Sequence, residues 1–322
     1  MAPVLPEHEA ETLQARFERR WGQLTRPHVR ALAWLLDAPD LLDAAAPRWQ
    51  GRIATLPPDP AAADWLMALE RDPAPLEAAL GARYYSRLGL YAEKLLAFYF
   101  GQRGVLAAHG LQVRANKNDT VGEFDFLLRD GERLLHWEFA TKFYLQVDHP
   151  GGVADLDGLV GPNLADTLGL KMDKILERQL ALGRHPAAQP LLPQPVDVAQ
   201  ALVKGWLFYP VGEARDIDGI AAAHNRGFWS PLDRVADLAG ERYAILPRLL
   251  WLAPLKTDCG GVEVFDRAGL ARELSRRFAA QPAPVLVAVV DECDGWIVER
   301  ARGFIVPEDW REQAALRSCL SA

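Results

Sequence analysis

Between Gly122 and Lys142 the chain alternates polar and apolar positions twice, with a turn signal between the two runs. Phe124, Phe126 and Leu128 alternate with Glu123, Asp125 and Leu127, the period-two pattern of a half-buried strand. Arg129-Asp130-Gly131-Glu132 then predicts a hairpin turn, Asp-Gly being a strong signal for one. The returning strand sets Leu135, Trp137, Phe139 and Thr141 on one face and His136, Glu138, Ala140 and Lys142 on the other. Upstream, Leu88, Tyr91, Leu95, Phe98 and Tyr99 recur at helical spacing and predict a helix from Tyr84 to Phe100. Leu111 to Ala115 predicts a short strand. Downstream, Val147 to Asn163 is rich in Gly, Asp and Pro and reads as a long loop, of a kind that is often functional. An amphipathic helix is expected from Thr167 to Leu182, then a buried strand from Ala201 to Tyr209 that stops at Pro210.

The flanks carry weaker patterns. Residues 1–80 read as a helical extension, with apolar clusters at Ala31 to Leu36 and Trp65 to Leu69 punctuated by Pro39, Pro47, Pro57, Pro58 and Pro60. Residues 81–210 form the expected core. Residues 211–322 are expected to pack on it as an α+β extension. That extension holds a strand-like stretch from Glu241 to Pro254, interrupted by Pro247. Two further strands, Val285 to Val290 and Trp296 to Val298, are joined by Asp291 to Gly295. The fold class is α/β, with helices flanking a central mixed sheet.

The hairpin also carries the candidate chemistry. Asp125 and Glu138 can meet across adjacent strands while the aromatic residues pack away from them. Two carboxylates in one cleft repel unless a cation or a proton sits between them. Oxygen ligands of this kind suit Mg2+ or Mn2+, which usually keep several waters. Acidic residues on the solvated face of an ordinary hairpin are the plain alternative.

Without a gap, the stretch resembles the active-site hairpin of the PD-(D/E)XK nuclease superfamily in its Holliday-resolvase-like form. Gly122, Glu123 and Asp125 match the first part of that pattern, Asp130-Gly131 the turn, and Glu138 the acidic position of the second strand. The resemblance implies an αβββαβ core and a divalent-metal-dependent nuclease acting on DNA or RNA. It implies a metal held by Asp125, Glu138 and the main-chain carbonyl of Phe139, joined by Glu93 on the first helix. Ala140 occupies the position of the superfamily's lysine. Lys142 lies two residues further on the same face, roughly 7 Å along an extended chain, and its flexible stem can fold back toward Glu138. A migrated catalytic lysine and an unrelated surface lysine both fit this spacing, and Glu93 can equally be half of an exposed pair with Lys94. Most of the chain also looks like an uncharacterised bacterial family, the domain of unknown function 1853. The hairpin, Lys142 to Leu145 and Gly161-Pro162-Asn163 carry that second resemblance, which brings no known activity.

Lys171, Lys174 and Arg178, at three- and four-residue spacing, can meet a phosphate backbone or form a solvated face with Asp173 and Glu177. His224, Arg226, Arg242 and Arg248 are candidates for a further substrate-facing surface with aromatic residues between them. His136, beside Glu138 on the same strand face, is the one histidine singled out, as a binder of metal or substrate or as a packed or solvent-facing side chain. The net charge of −7 argues against a broad nucleic-acid-binding surface. A particular nucleic-acid structure, or a substrate presented by a protein partner, fits that charge better. A catalytically silent nuclease fold that binds nucleic acid or protein is the second function class. Phosphate-loop, GxSxG, HExxH and paired CxxC signatures do not occur. Cys259, Cys293 and Cys319 are isolated and odd in number, which fits neither a disulfide framework nor a zinc cluster. No run approaches the ~20 apolar residues of a membrane span, and Glu7, Glu9 and Glu11 are wrong for a signal peptide. A cytoplasmic protein is expected, with no membrane partner.

Overall fold

The structure, a computed structural model, describes residues 11–82, 85–116, 119–147, 155–211 and 216–319, without the side chains of Ser318 and Cys319. Helix α1 (Leu13–Trp21) starts at Thr12, whose hydroxyl accepts the Ala15 N–H at 3.1 Å and so satisfies one of the free amides at a helix start. Helix α2 (Pro27–Asp37) opens on a proline, tolerated there because the first N–H has no intrahelical acceptor. Helices α3 (Ala62–Arg71) and α4 (Ala74–Leu80) follow. The expected helix from Tyr84 is α5 (Leu88–Gln102). Tyr85 to Arg87 are not helical, and Tyr84 lies outside the described residues. It buries Leu88, Tyr91, Leu95 and Tyr99, as the spacing predicts.

The predicted first strand is longer than its apolar run, as β1 (Leu106–Asn116). β2 (Asp119–Asp130) and β3 (Arg133–Gln146) form the hairpin, closed by Gly131 and Glu132. Gly131 sits at φ +58, where a residue with a side chain is strained. Residues 148–154 of the expected long loop lie outside the described residues; its last part holds a short strand β4 (Leu159–Val160) paired with β3. The helix expected to run from Thr167 to Leu182 is α6 (Leu168–Lys174), which passes into a π-helical turn over Ile175–Gln179. β5 (Val198–Pro210) is the predicted buried strand.

The sheet then continues without a break. β6 (Asn225–Pro231), which the hydrophobic pattern did not predict, pairs parallel with β5, its signal diluted by Asn225, Arg226 and Gly227. β7 (Tyr243–Ile245) is all that forms of the strand expected over Glu241 to Pro254, because Pro247 has no N–H to extend a ladder. β8 (Lys256–Asp258), β9 (Val264–Phe265), helix α7 (Arg267–Ala280), β10 (Val285–Cys293), β11 (Trp296–Val306) and helix α8 (Trp310–Cys319) complete the chain. Cys293 pairs with Trp296, so the loop between the last two strands is Asp294-Gly295 rather than the longer Asp291 to Gly295.

Eleven strands among the described residues make one mixed sheet in the order β1-β2-β3-β5-β6-β11-β10-β7-β9, with β4 on β3 and β8 on β11. The protein is thus α/β with helices on both faces. The N-terminal helices, α5 and α8 share one apolar cluster with Trp137, Phe139, Trp206 and Phe304. On the other face α6 packs with Ala140, Tyr144, Val203 and Leu207, and α7 packs with Val287, Val289 and Ile305.

One ion pair fastens the two halves of the sheet. Glu299 and Arg302 are fully buried and bonded twice at 2.7 Å. Arg302 also donates to the Trp251 and Ala253 carbonyls, and its guanidinium lies 4.3 Å over the Trp206 ring of β5. Glu299 in turn accepts the Leu255 N–H at 2.9 Å. Glu299→Ala leaves a buried, unpaired guanidinium, which costs about 3–5 kcal/mol. Urea denaturation is expected to show a loss of that size with an unchanged slope. Arg300→Ala, which breaks the exposed Arg300–Asp291 pair, costs at most about 1 kcal/mol in the same assay.

Candidate metal centre

Strand β3 keeps its two neighbours for different lengths. On one edge it pairs antiparallel with β2 from Arg133 only as far as Trp137, opposite Phe126. On the other it pairs parallel with β5 from Leu135 through Leu145. β2, beyond Phe126, stays alongside β1 as far as Asp119. The hairpin strands therefore fork past Phe126 and Trp137, and Asp125 and Glu138 are the next residue on each arm.

A glycine with positive φ in β1 accompanies the fork. His109 pairs with Phe126 and Leu111 with Phe124, which puts Gly110 opposite Asp125, at φ +62. The alternation predicted for β2 fails at this level. Phe126 and Leu128 join the main core, whereas Phe124 packs with Val113, Leu127 and Leu134 in a separate cluster. On β3 the predicted alternation holds: Trp137 and Phe139 face the main core, and Ala140 and Tyr144 the opposite side.

Past the fork, β3 has amides with no strand to bond on that edge. The Phe139 N–H donates to Asp125 Oδ2 at 2.8 Å, so the carboxylate replaces a ladder acceptor. At Phe139 the observed contact is thus its amide. One carboxylate oxygen each from Glu93, Glu123 and Asp125 lie within 4.8 Å of one another. Glu93 comes from α5 and is half-buried, its Oε1 2.7 Å from His109 Nε2, rather than an exposed partner of Lys94. His109 stacks on Phe126 with ring centroids 5.5 Å apart. Glu123 accepts from Gln112 Nε2 at 3.3 Å.

Glu138, on the other arm, is 3% exposed. Its Oε1 accepts from Gln179 Nε2, and Gln179 Oε1 accepts from Lys171 Nζ at 3.2 Å. Glu138 Oε2 has no hydrogen-bond partner, and His136 Nε2 lies 3.8 Å from it. Both ring nitrogens of the buried His136 are likewise unpartnered.

Burial dominates the electrostatics. It raises the Asp125 carboxyl well above the ordinary carboxylate range, with Glu138 and Glu93 adding and the Phe139 amide opposing. Glu138 is raised by burial too, opposed first by the Lys171 charge. Burial pushes His136 down to about 4, so it is a neutral imidazole near neutral pH. The Lys171 ammonium is lowered by burial, with Lys142 and Lys174 repelling it and Glu138 and Asp125 holding it charged. Either protons or a bound cation would offset the charge of these buried carboxylates, and Glu138 Oε2 is left unpartnered. The oxygens of Glu93, Glu123 and Asp125 are grouped closely enough to hold Mg2+ or Mn2+, and Glu138 stands beside Asp125 outside that group.

The sequence-derived candidates divide clearly. Asp125, Glu138 and Glu93 converge at the fork, and Lys171 reaches it from α6. Lys142 Nζ bonds instead to Asp166 Oδ2 at 3.2 Å, an oxygen it shares with the Tyr144 hydroxyl. Lys174 and Arg178 are exposed. The C-terminal candidates face elsewhere. His224 is buried against the Tyr209 hydroxyl at 2.6 Å, Arg226 stacks on Tyr209, Arg242 pairs with Glu292, and Arg248 lies over Trp251. Glu123, His109 and Gln179 were not picked out as site residues. Glu123 had a signal, since it lies two residues from Asp125 inside the matched motif. Nothing in the sequence marks the other two.

The raised carboxyls set a sign for pH. Their folded forms hold protons that the unfolded chain releases near the ordinary carboxylate value. Their contribution to stability is therefore complete below that value and is lost as pH rises through the raised folded pKa. In metal-free buffer the melting temperature of Asp125→Asn is expected to gain on that of the wild type between about pH 5 and about pH 8. Mn2+ is expected to stabilise the wild type increasingly over the same range. A pH-independent difference between the two proteins contradicts this reading.

A family model, Domain of unknown function (DUF1853), matches residues 30–306. No curated protein and no solved structure matches the chain. No helix among the described residues is long and apolar enough to cross a membrane. The matched span runs from within α2 to the end of β11 and includes every residue at the fork. The chain belongs to the DUF1853 family.

Proposed function

We propose that this protein is a divalent-metal-dependent nuclease that hydrolyses phosphodiester bonds in DNA or RNA, on a core of the PD-(D/E)XK kind. The observation that carries this reading is the forked hairpin, with Asp125 and Glu138 on its arms and Glu93 delivered from the preceding helix. Apart from the two-residue β4, the order α5-β1-β2-β3-α6-β5, with β5 parallel to β3, follows the αβββαβ succession expected of that superfamily.

In this reading Asp125, Glu93 and Glu123 would hold the cation, and Glu138, beside Asp125, would join them. A divalent cation bound there polarises the phosphate and makes a nearby water more acidic. Asp125 is oriented by the Phe139 amide and Glu138 by Gln179. In the reaction a water oxygen bonds to phosphorus, one ester P–O bond breaks, and the leaving oxygen takes up a proton. Lys174 and Arg178, exposed on the stretch that follows Lys171, are placed for flanking phosphates. The acidic net charge limits binding to a narrow footprint, which suits a particular nucleic-acid structure or one presented by a protein partner.

A silent fold that recognises nucleic acid or protein is the second reading. One observation favours it: Ala140 is 5% exposed at the superfamily's lysine position, and Lys142 is engaged by Asp166. Calorimetry with Mn2+ separates the two. The nuclease reading expects binding by the wild type and its loss in Asp125→Ala and Glu138→Ala. Cleavage of a mixed panel of DNA and RNA substrates should fall at least about 100-fold in both variants. A wild type that binds no Mn2+, with Asp125→Ala altering only local stability, supports the silent fold instead.

A further inference from the structure

Ala140 lies on the face of β3 that α6 covers, in one apolar cluster with Leu168, Met172 and Ile175. With only a methyl group, Ala140 brings no cationic side chain of its own to that face. Lys171 lies on the same helix, next to the buried Met172. Its stem is half-buried, unlike those of Lys174 and Arg178.

Its head group is also held in place. Lys171 Nζ donates to Gln179 Oε1 at 3.2 Å, and Gln179 Nε2 donates to Glu138. The π-helical turn makes that relay. Leu180 N–H bonds back to the Ile175 carbonyl at 2.9 Å, five residues earlier. That extra residue shifts Gln179 relative to a regular helix, and π-turns of this sort are frequent at functional sites. Lys142, the strand lysine within reach by spacing, is held by Asp166.

We propose that Lys171 is the cationic residue of this site: positioned by Gln179 beside Glu138, it takes the place that Ala140 leaves without a lysine and binds a non-bridging oxygen of the substrate phosphate. The proposal rests on the nuclease reading above. Gln179 is a positioning residue, acting through Lys171 and Glu138. The plain alternative is a lysine that only packs its stem on β3 and tethers the π-turn.

Lys171→Met keeps the length and apolar stem and removes the charge, and Lys171→Arg keeps the charge. Lys142→Met is the control on the strand. Each is titrated with Mn2+ by calorimetry and assayed for cleavage. Loss of a positive charge beside Glu138 relieves repulsion of the incoming cation. Lys171→Met is therefore expected to bind Mn2+ about threefold or more tighter, while its cleavage falls at least about 100-fold. Lys171→Arg is expected to keep the wild-type Mn2+ affinity and to recover part of the cleavage. Lys142→Met is expected to change neither quantity by more than about threefold. Misfolding would weaken Mn2+ binding, so the sign of the change separates a local charge effect from a lost structure. Wild-type affinity in Lys171→Met overturns the proposal, as does cleavage lost in Lys142→Met and retained in Lys171→Met. If the wild type binds Mn2+ but cuts none of the panel, the affinity change alone decides whether Lys171 stands at the site. A wild type that binds no Mn2+ overturns the nuclease reading itself, and this proposal with it.

Discussion

The bond from the Phe139 amide to the Asp125 carboxylate is the interaction on which the centre of this structure depends. β3 runs on beside β5 after it has parted from β2, and a strand edge exposed in this way leaves N–H groups that must be satisfied. Asp125 supplies one acceptor from its side chain. On the same level β1 carries Gly110 at φ +62, opposite Asp125. The same geometry that relieves an unpaired amide brings a carboxylate into a half-buried fork, toward Glu138 and Glu93. Backbone pairing and site construction are one event here.

Charge then accumulates where water is scarce. Glu138 and His136 are buried with unpartnered atoms, and Asp125 and Glu138 both favour protonation because of burial. Buried polar groups left unmatched destabilise a fold, whereas the Glu299–Arg302 pair elsewhere in the sheet is bonded on every side. The contrast between a completed buried pair and an incomplete buried cluster is the reason for reading the fork as a site that a cation finishes. Lys171, arriving through the helix rather than along the strand, supplies part of the compensating charge.

Much of this was legible in the sequence, and the exceptions have physical causes. Alternation and the Asp-Gly turn located the hairpin, and helical spacing located α5 within a few residues. The faces of β3 followed from alternation, but Phe124 did not: the pattern that Phe126 and Leu128 continue reverses at Asp125, where the side chain bonds the Phe139 amide. The proximity of Asp125, Glu138 and Glu93 was expected from a motif and a neighbouring helix. Gln179 was not, since its role depends on a π-helical turn that apolar spacing does not reveal. β6 escaped because Asn225, Arg226 and Gly227 hide a central strand, and Pro247 cut short a strand that hydrophobicity alone extends. The expected C-terminal extension adds its strands to the core sheet through the β5–β6 pairing, a long-range contact that no local pattern encodes.

Crystals soaked in Mn2+ and measured at an anomalous wavelength would show whether the fork holds a cation. The account predicts a peak in the fork between β2 and β3, within about 2.0–2.4 Å of carboxylate oxygens of Asp125 and Glu138. It also predicts that Lys171 lies close by without ligating the ion. Density only at exposed surface carboxylates, with the fork unchanged, would contradict it.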